Sequence, residues 1–333
     1  MSADTRDIVI VGSGVAGQSA AIYAARADLD PLVLTGDEPG GQLTLTTGVE
    51  NYLGFPNGVG GHELVRHGRE QAESFGASFE HASVVDADLE DRPFRLSLSN
   101  GETIPTRAVV LATGASARTL GVPGEDDLMG YGLSTCATCD GAFHRDHDVA
   151  VVGGGDAAME EAIFLTKFAD SVTVVHRRDE LRASEILARR AAEHDDIEFR
   201  WNAELAEIHG SQSAGVTGVT LVSHPDGHPV RRRAEGDEHV EVEQLDVQGV
   251  FYGIGHEPNT GFLVDTPVDL GENGYVRTDP RTTATAVDGV FAAGDVADSR
   301  YQQAITAAGT GSMAALDAEA YLDELTHEPQ LLA

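Results

Sequence analysis

Short apolar runs and glycine-rich turns alternate along this chain in an order that repeats. Asp7 to Val11 is an apolar run ending in Gly12-Ser13-Gly14-Val15-Ala16-Gly17, Gln18 to Ala27 is alanine-rich and helix-prone, and Pro31 to Leu34 is apolar again. This reads as strand, turn, helix, strand. The same order returns at Asp148 to Val152, Gly153-Gly154-Gly155-Asp156-Ala157-Ala158, the helix-like Met159 to Phe168, and Ser171 to Val175. The pattern predicts an α/β chain with two Rossmann-like nucleotide-binding units. Between them Ala108 to Leu111 reads as a buried strand, and the Gly/Pro-rich stretch from Gly121 to Gly124 suits a linker, which puts a boundary near residue 117. A polar meander runs from His209 to Val242. Buried strands then follow at Val250 to Ile254 and Gly289 to Ala293. Both resemble the strand ends of the first unit, so the chain is expected to return to its first domain. Gln303 to Leu325 reads as a long alanine-rich helix interrupted by Gly309 and Gly311.

The glycines of the first loop permit a tight turn, close approach of backbone to a pyrophosphate, and close helix packing, while the helix N-terminus offers free N–H groups to the anion. Asp37 and Glu38 follow about 20 residues on, where a ribose-binding carboxylate is expected. In the second loop alanine replaces the last glycine, a tolerated variant. At the position of the acid stands His176-Arg177-Arg178, with Arg182 further along. Guanidinium groups there suit a 2′-phosphate and favour NADPH over NADH. The competing reading pairs Arg177 and Arg178 with Asp179, Glu180 and Glu185 in a solvated surface network.

Charge adds the milieu. The 333 residues hold 55 acidic against 22 basic side chains, a formal net charge of −33, and Lys167 is the only lysine. Such a surface self-repels in dilute buffer, whereas the screening length shrinks to roughly 3 Å at 1 M salt. The bias resembles that of cytoplasmic proteins from extreme halophiles, and a high genomic GC content is a second source of it. It argues against a protein that reads a nucleic-acid backbone, which needs basic patches. No apolar stretch approaches the roughly 20 residues of a membrane helix, so a soluble cytoplasmic protein with no membrane partner is expected.

Cys136 and Cys139 are the only cysteines. A C-x-x-C pair can close a small disulfide, cycle by two electrons and pass them on by thiol exchange. A free thiol with a pKa of about 8.5 gains from a nearby proton acceptor, and Asp140 is the adjacent one. With His144 and His147 the pair could instead ligate zinc, but the gap from Cys139 to His144 is far shorter than the roughly 12 residues of finger sites, so no metal is expected.

These motifs, with Thr35-Gly36-Asp37-Glu38-Pro39-Gly40-Gly41-Gln42-Leu43, Val49-Glu50-Asn51, Gly255-His256-Glu257-Pro258-Asn259-Thr260 and Gly294-Asp295-Val296, make the chain similar, over essentially its whole length, to the low-molecular-weight thioredoxin reductase family, here of a halophilic type. The resemblance implies an FAD domain built from residues 1–116 and 247–333, with an NADPH domain, 117–246, inserted and carrying a redox-active disulfide. It implies a homodimer passing electrons from NADPH to FAD, to Cys136–Cys139, and to thioredoxin. By motif, Cys139 adjoins the flavin, Cys136 attacks the thioredoxin disulfide, and Asp140 is the acid/base. Gly12, Ser13, Gly14, Gly17, Glu38, Gln42, Asn51, Gly294, Asp295, Gln303 and Ala304 would hold FAD. Gly153, Gly154, Gly155, Asp156, Ala157, Arg177, Arg178 and Arg182 would hold NADPH. In Tyr301-Gln302-Gln303-Ala304, Gln302 stands where the family has arginine. Nicotinamide and disulfide share one domain and both need the flavin, so a rotation about connections near residues 115–120 and 244–249 is expected. A related reductase with another donor or partner, and a nucleotide-binding redox sensor, remain as alternatives.

Overall fold

The computed structural model describes residues 5–331, with side chains described through residue 327. Two compact units form, one from the residues up to Ser116 together with those from Glu257 onward, the other from Ala117–His256.

The first unit begins with β1 (Arg6–Val11), α1 (Val15–Arg26) and β2 (Pro31–Leu34). Alanine carries the highest intrinsic helix propensity, and α1 starts directly after an extended Gly14. It stops at Ala27, whose N–H closes on Tyr23 and Ala24 carbonyls, before Asp28 turns to a left-handed φ of 61°. Then come α2 (Gly61–Ser74), β3 (Ser78–Glu80), β4 (Val84–Asp88), β5 (Phe94–Leu98) and β6 (Thr103–Leu111). The sheet order is β3-β2-β1-β6-β5-β4. β1 lies parallel between β2 and β6, with Val9 opposite Leu32 and Val109.

Along the second unit run β7 (Ala115–Ala117), where the chain crosses over, α3 (Glu125–Leu128), β8 (Leu133–Ser134), α4 (Ala137–Asp140), β9 (Asp148–Val152), α5 (Asp156–Leu165), β10 (Ser171–His176), α6 (Glu185–Ala192) and β11 (Ile197–Trp201). The polar meander resolves into β12 (Ala203–Ser211), β13 (Gly215–Ser223), α7 (Pro229–Ala234) and β14 (Glu241–Leu245), the strands forming an antiparallel sheet in the order β12-β13-β14. β15 (Gly249–Tyr252) follows, then β16 (His256–Pro258) at the return crossing. A parallel sheet in the order β11-β10-β9-β15-β8 forms the centre of this unit.

The return crossing falls later than the sequence suggested. β15 does not rejoin the first sheet: Val250 pairs with Ala150 and Leu133, which holds the strand in the second unit through residue 256. A run of buried apolar residues specifies a buried strand but not which sheet it joins. The strand expected around Gly289 does return, as β17 (Val290–Ala292) beside β6, followed by the 28-residue α8 (Ala304–Leu331).

Period-two alternation sorts each central strand between two cores. Ile8 and Ile10 pack with the alanines of α1 and with Ala314, Ala315 and Ala318 of α8, while Val9 and Val11 pack on the opposite face with Leu96 and Val290. In the second unit Val149 and Val151 face α5, while Ala150 and Val152 face the antiparallel sheet. Each fully buried Val, Leu or Ile contributes roughly 1.5–3 kcal/mol. The loops that follow β1 and β9 are thereby held at the carboxyl ends of rigid strands, where α/β sheets bind ligands.

Candidate active site

In the first unit Gly12 leaves β1 with φ 112° and donates to Leu34 O at 2.8 Å. A Cβ on Gly17 would collide with Gly12 O, so glycine there lets α1 start against the end of the strand. Gly14 is different, since its missing side chain faces open space with only Gly40 O within reach, at 3.9 Å. Ser13 ties the far wall in place: its hydroxyl accepts the Gly40 N–H at 3.0 Å and donates to Thr35 O at 3.2 Å. The result is a glycine-walled cradle at a helix N-terminus, fit for a pyrophosphate. Of the two expected ribose carboxylates, Asp37 accepts the Ser83 hydroxyl at 2.8 Å, whereas Glu38 is exposed and its carboxylate has no hydrogen-bond partner among the described residues.

Gly294 donates to Thr310 Oγ1 at 2.9 Å and packs against Ala16 of α1, which brings Asp295 to the same end of the unit. Asp295 Oδ1 is buried without a partner among the described residues, and burial with the neighbouring Asp298 carboxylate pushes its pKa up to about 7. A buried lone acceptor of this kind calls for a donor that a ligand hydroxyl would supply. Asn51 Nδ2 donates to Gln303 Oε1 at 3.3 Å, joining two expected site residues 252 positions apart, and Ala304 opens α8 beside them. Gln42 Nε2 donates to Ala115 O at 3.0 Å. Gln302, in place of the family's arginine, donates to the Tyr275 hydroxyl at 3.2 Å.

The second unit repeats the cradle with different chemistry around it. Gly153 leaves β9 packed on Gly253 and Ala158, and Gly155 faces open space at the start of α5, with Ala157 exposed beyond it. Gly154 has no side chain because the His176 ring occupies that space. Arg182 and Ala183 N–H groups both donate to Gly154 O, at 2.7 and 3.1 Å, and Asp156 Oδ1 accepts Ser184 N–H at 2.6 Å. Asp156 is thus a strap that draws the arginine-bearing segment onto the loop. His176 Nε2–H donates to Glu180 O at 3.0 Å; its pKa is lowered by burial and by the charges of Arg182, Arg178 and Arg177. Those three guanidiniums therefore share one neighbourhood with the loop. None of them makes an ion pair among the described residues, so the surface network with Asp179, Glu180 and Glu185 does not form. The donor set fits a 2′-phosphate.

Cys136 and Cys139 form a disulfide with a Cα–Cα distance of 5.3 Å. Cys136 is the N-cap of α4, and its carbonyl accepts the Cys139 and Asp140 N–H groups, each at 3.1 Å. Cys136 N–H donates to Ser134 Oγ at 3.0 Å, and the Ser134 hydroxyl is bonded in turn to the Asp140 carboxylate. Burial raises the Asp140 pKa, while the Ser134 bond works the other way. His144, weighed with His147 as a zinc ligand, is buried and sits edge-on to Phe251 at 5.2 Å. Two groups had no signal in the sequence: Ser134, and Glu161 of α5, which lies against the Ala137 N–H. Only the packing of α4 on α5 brings Glu161 there.

Two strand–loop–helix nucleotide cradles with a reducible cysteine pair beside one of them define a flavin- and nicotinamide-linked disulfide oxidoreductase. Residues 6–311 match the family described as pyridine nucleotide-disulphide oxidoreductase. The chain is 52% identical over 323 residues to the thioredoxin reductase of Mycolicibacterium smegmatis, covering 97% of this chain and 98% of that protein. It is 49% identical over 318 residues to the bifunctional thioredoxin reductase/thioredoxin of Mycobacterium leprae (strain TN), covering 96% of this chain and 66% of that one. The solved thioredoxin reductase from Giardia duodenalis superposes with a TM-score of 0.87 at 39% identity, covering 96% of this chain and 99% of that one. The chain belongs to the thioredoxin reductase family, whose members depend on FAD and NADPH.

Proposed function

We propose that this chain carries electrons from NADPH through FAD to the Cys136–Cys139 disulfide and on to a thioredoxin. The observation that carries the reading is the closed disulfide at the first turn of α4, in the same unit as an arginine-marked nucleotide loop. Bound FAD would supply the two-electron relay that a dithiol and a nicotinamide cannot perform directly on each other. In the unit formed by both ends of the chain, Gly12 to Gly17 would receive its pyrophosphate, Glu38 a ribose, Asp295 a hydroxyl, and Gln42, Asn51, Gly294, Gln303 and Ala304 would line the remainder. In the 117–256 unit, Gly153 to Ala157 would receive the NADPH pyrophosphate and Arg177, Arg178 and Arg182 its 2′-phosphate. Asp140, kept protonatable by burial, would exchange a proton with a sulfur of the pair. Cys136, at the head of the turn, would attack the partner disulfide, with Cys139 as the sulfur nearer the flavin. A thioredoxin partner is supported by the Mycobacterium leprae relative, whose name joins both activities in one chain.

Three further properties belong to this reading. Exposed Leu45, Leu53, Met313 and Leu316 on the first unit support a homodimer, testable by light scattering. No helix among the described residues is long and apolar enough to cross a membrane, and together with the charge of −33 this supports a cytoplasmic protein working in concentrated salt.

The test is replacement of each cysteine. Cys136→Ser and Cys139→Ser are each expected to keep bound FAD, seen in the visible spectrum, and to lose NADPH-dependent reduction of thioredoxin. Thioredoxin reduction surviving in either variant would sink the assignment.

A further inference from the structure

Glu161 is a buried carboxyl that the electron path above does not use. It stands on α5, six residues beyond Gly155 of the nucleotide loop, where α5 packs on α4 and its cysteine turn. Its Oε2 is buried and has no hydrogen-bond partner among the described residues. The Ala137 N–H, from the residue next to Cys136, is the one group that favours its charged form, while burial works the other way and pushes the pKa up to about 7. No other charge contributes to that shift. α5 packs against α4, β9, β10 and α6 through apolar side chains, Ala137, Val149, Val151, Val172, Val174 and Ala191 among them. The titratable groups on α4 and the turn after it are Asp140 and His144, and those along α5 and just past it are Asp156, Glu160 and Lys167.

We propose that Glu161 holds the second proton of the reduced Cys136–Cys139 pair, acting through the Ala137 peptide as a positioning residue. The inference rests on the reading of the pair as the redox centre. Opening the S–S bond takes two electrons and, for a full dithiol, two protons. One proton ends on a cysteine sulfur. The other sulfur stays thiolate, held at the head of α4, and its negative charge next to Ala137 raises the proton affinity of Glu161, which takes the second proton. When the thiolate attacks a thioredoxin disulfide, the S–S bond of the partner breaks and one partner sulfur leaves as thiolate. The remaining cysteine thiol then loses its proton and closes the Cys136–Cys139 bond, releasing the second partner sulfur. The two protons, one from that thiol and one from Glu161, end on the two partner sulfurs, so electrons and protons balance.

The test compares oxidised and reduced holoprotein at about pH 8 by infrared difference spectroscopy, with glutathione as the reductant. Wild type is expected to gain a protonated-carboxyl C=O band on reduction; Glu161→Gln should lose that band and Asp140→Asn should keep it. The equilibrium with glutathione gives a second readout. In wild type its constant should stay nearly flat with pH while Glu161 takes up the proton, whereas in Glu161→Gln it should rise about tenfold per pH unit once a thiolate forms. Neither readout needs NADPH or thioredoxin, so failure of wild type to oxidise NADPH with thioredoxin strikes the functional reading, not this inference. If Glu161→Gln does not fold, the wild-type and Asp140→Asn spectra decide together, and a band lost in Asp140→Asn overturns the proposal. No carboxyl band in wild type, or the same pH dependence in wild type and Glu161→Gln, overturns the proposal.

Discussion

At the scale of single residues, burial works against the charge of three carboxyls, Asp140, Glu161 and Asp295, and all lie beside chemistry. Asp295 and Glu161 both have pKa values pushed up to about 7, from ordinary values of 3.8 and 4.5. The sign of the consequence follows from proton linkage. A carboxyl whose pKa is higher folded than unfolded contributes stability in full below the unfolded value, and this is lost as pH rises through the folded value. For Glu161 the window runs from about pH 4.5 to about pH 7. Denaturant unfolding at about pH 5 and about pH 8 should therefore show wild type losing on the order of 1–3 kcal/mol more stability than Glu161→Gln. Equal losses would mean that the folded carboxyl titrates normally. The arginines make a second test at this scale. Neutralising Arg177 and Arg178 should weaken NADPH far more than NADH, by on the order of 1–3 kcal/mol per lost charge-assisted contact. Equal weakening of both nucleotides would remove the 2′-phosphate from the account.

At the scale of elements, α8 shows why a glycine in a helix has to be read in its packing. The two glycines that interrupt its alanine-rich sequence look alike. In the fold they differ, since a Cβ on Gly311 would run into the backbone of Ala16 in α1, while one on Gly309 meets nothing within 4 Å. Gly311→Ala is expected to push α8 off α1 and cost about 1–3 kcal/mol. Gly309→Ala should stabilise by about 0.5–1 kcal/mol through helix propensity alone. Urea midpoints of the two variants check both, and similar shifts in the same direction would count against this packing. Element positions were otherwise well marked in the sequence. Pro31 to Leu34 and Asp148 to Val152 coincide with β2 and β9, because apolar runs between glycine turns have few other ways to bury themselves. The span from His209 to Val242 was opaque. β14 pairs with β13 alone and has exposed side chains nearly throughout, so its pairing leaves no apolar signature.

At the scale of the whole molecule, charge governs behaviour in solution. A net charge of −33 repels itself over a screening length of about 10 Å in 0.1 M salt and far less in molar salt. Raising KCl from about 0.1 M to about 2 M should lift the thermal midpoint by on the order of 10 °C. A midpoint that does not move with salt would show that the acidic surface carries no adaptation.

The chain announces its nucleotide loops, its cysteine pair and most of its strands through local pattern, because turns, helix starts and strand burial are set by neighbours in sequence. The partners that meet from afar are not written locally. Asn51 reaches Gln303 from 252 positions away, β15 joins the second sheet instead of the first, and Glu161 arrives behind the disulfide only because α4 packs on α5. Likewise, the fold leaves Glu38 available while committing Asp37 to Ser83, and gathers three arginines around His176 with no ion-paired carboxylate among the described residues. Local sequence determines which groups carry chemistry. Tertiary packing decides which of them are left unpaired and desolvated, since both conditions depend on what else has folded against them.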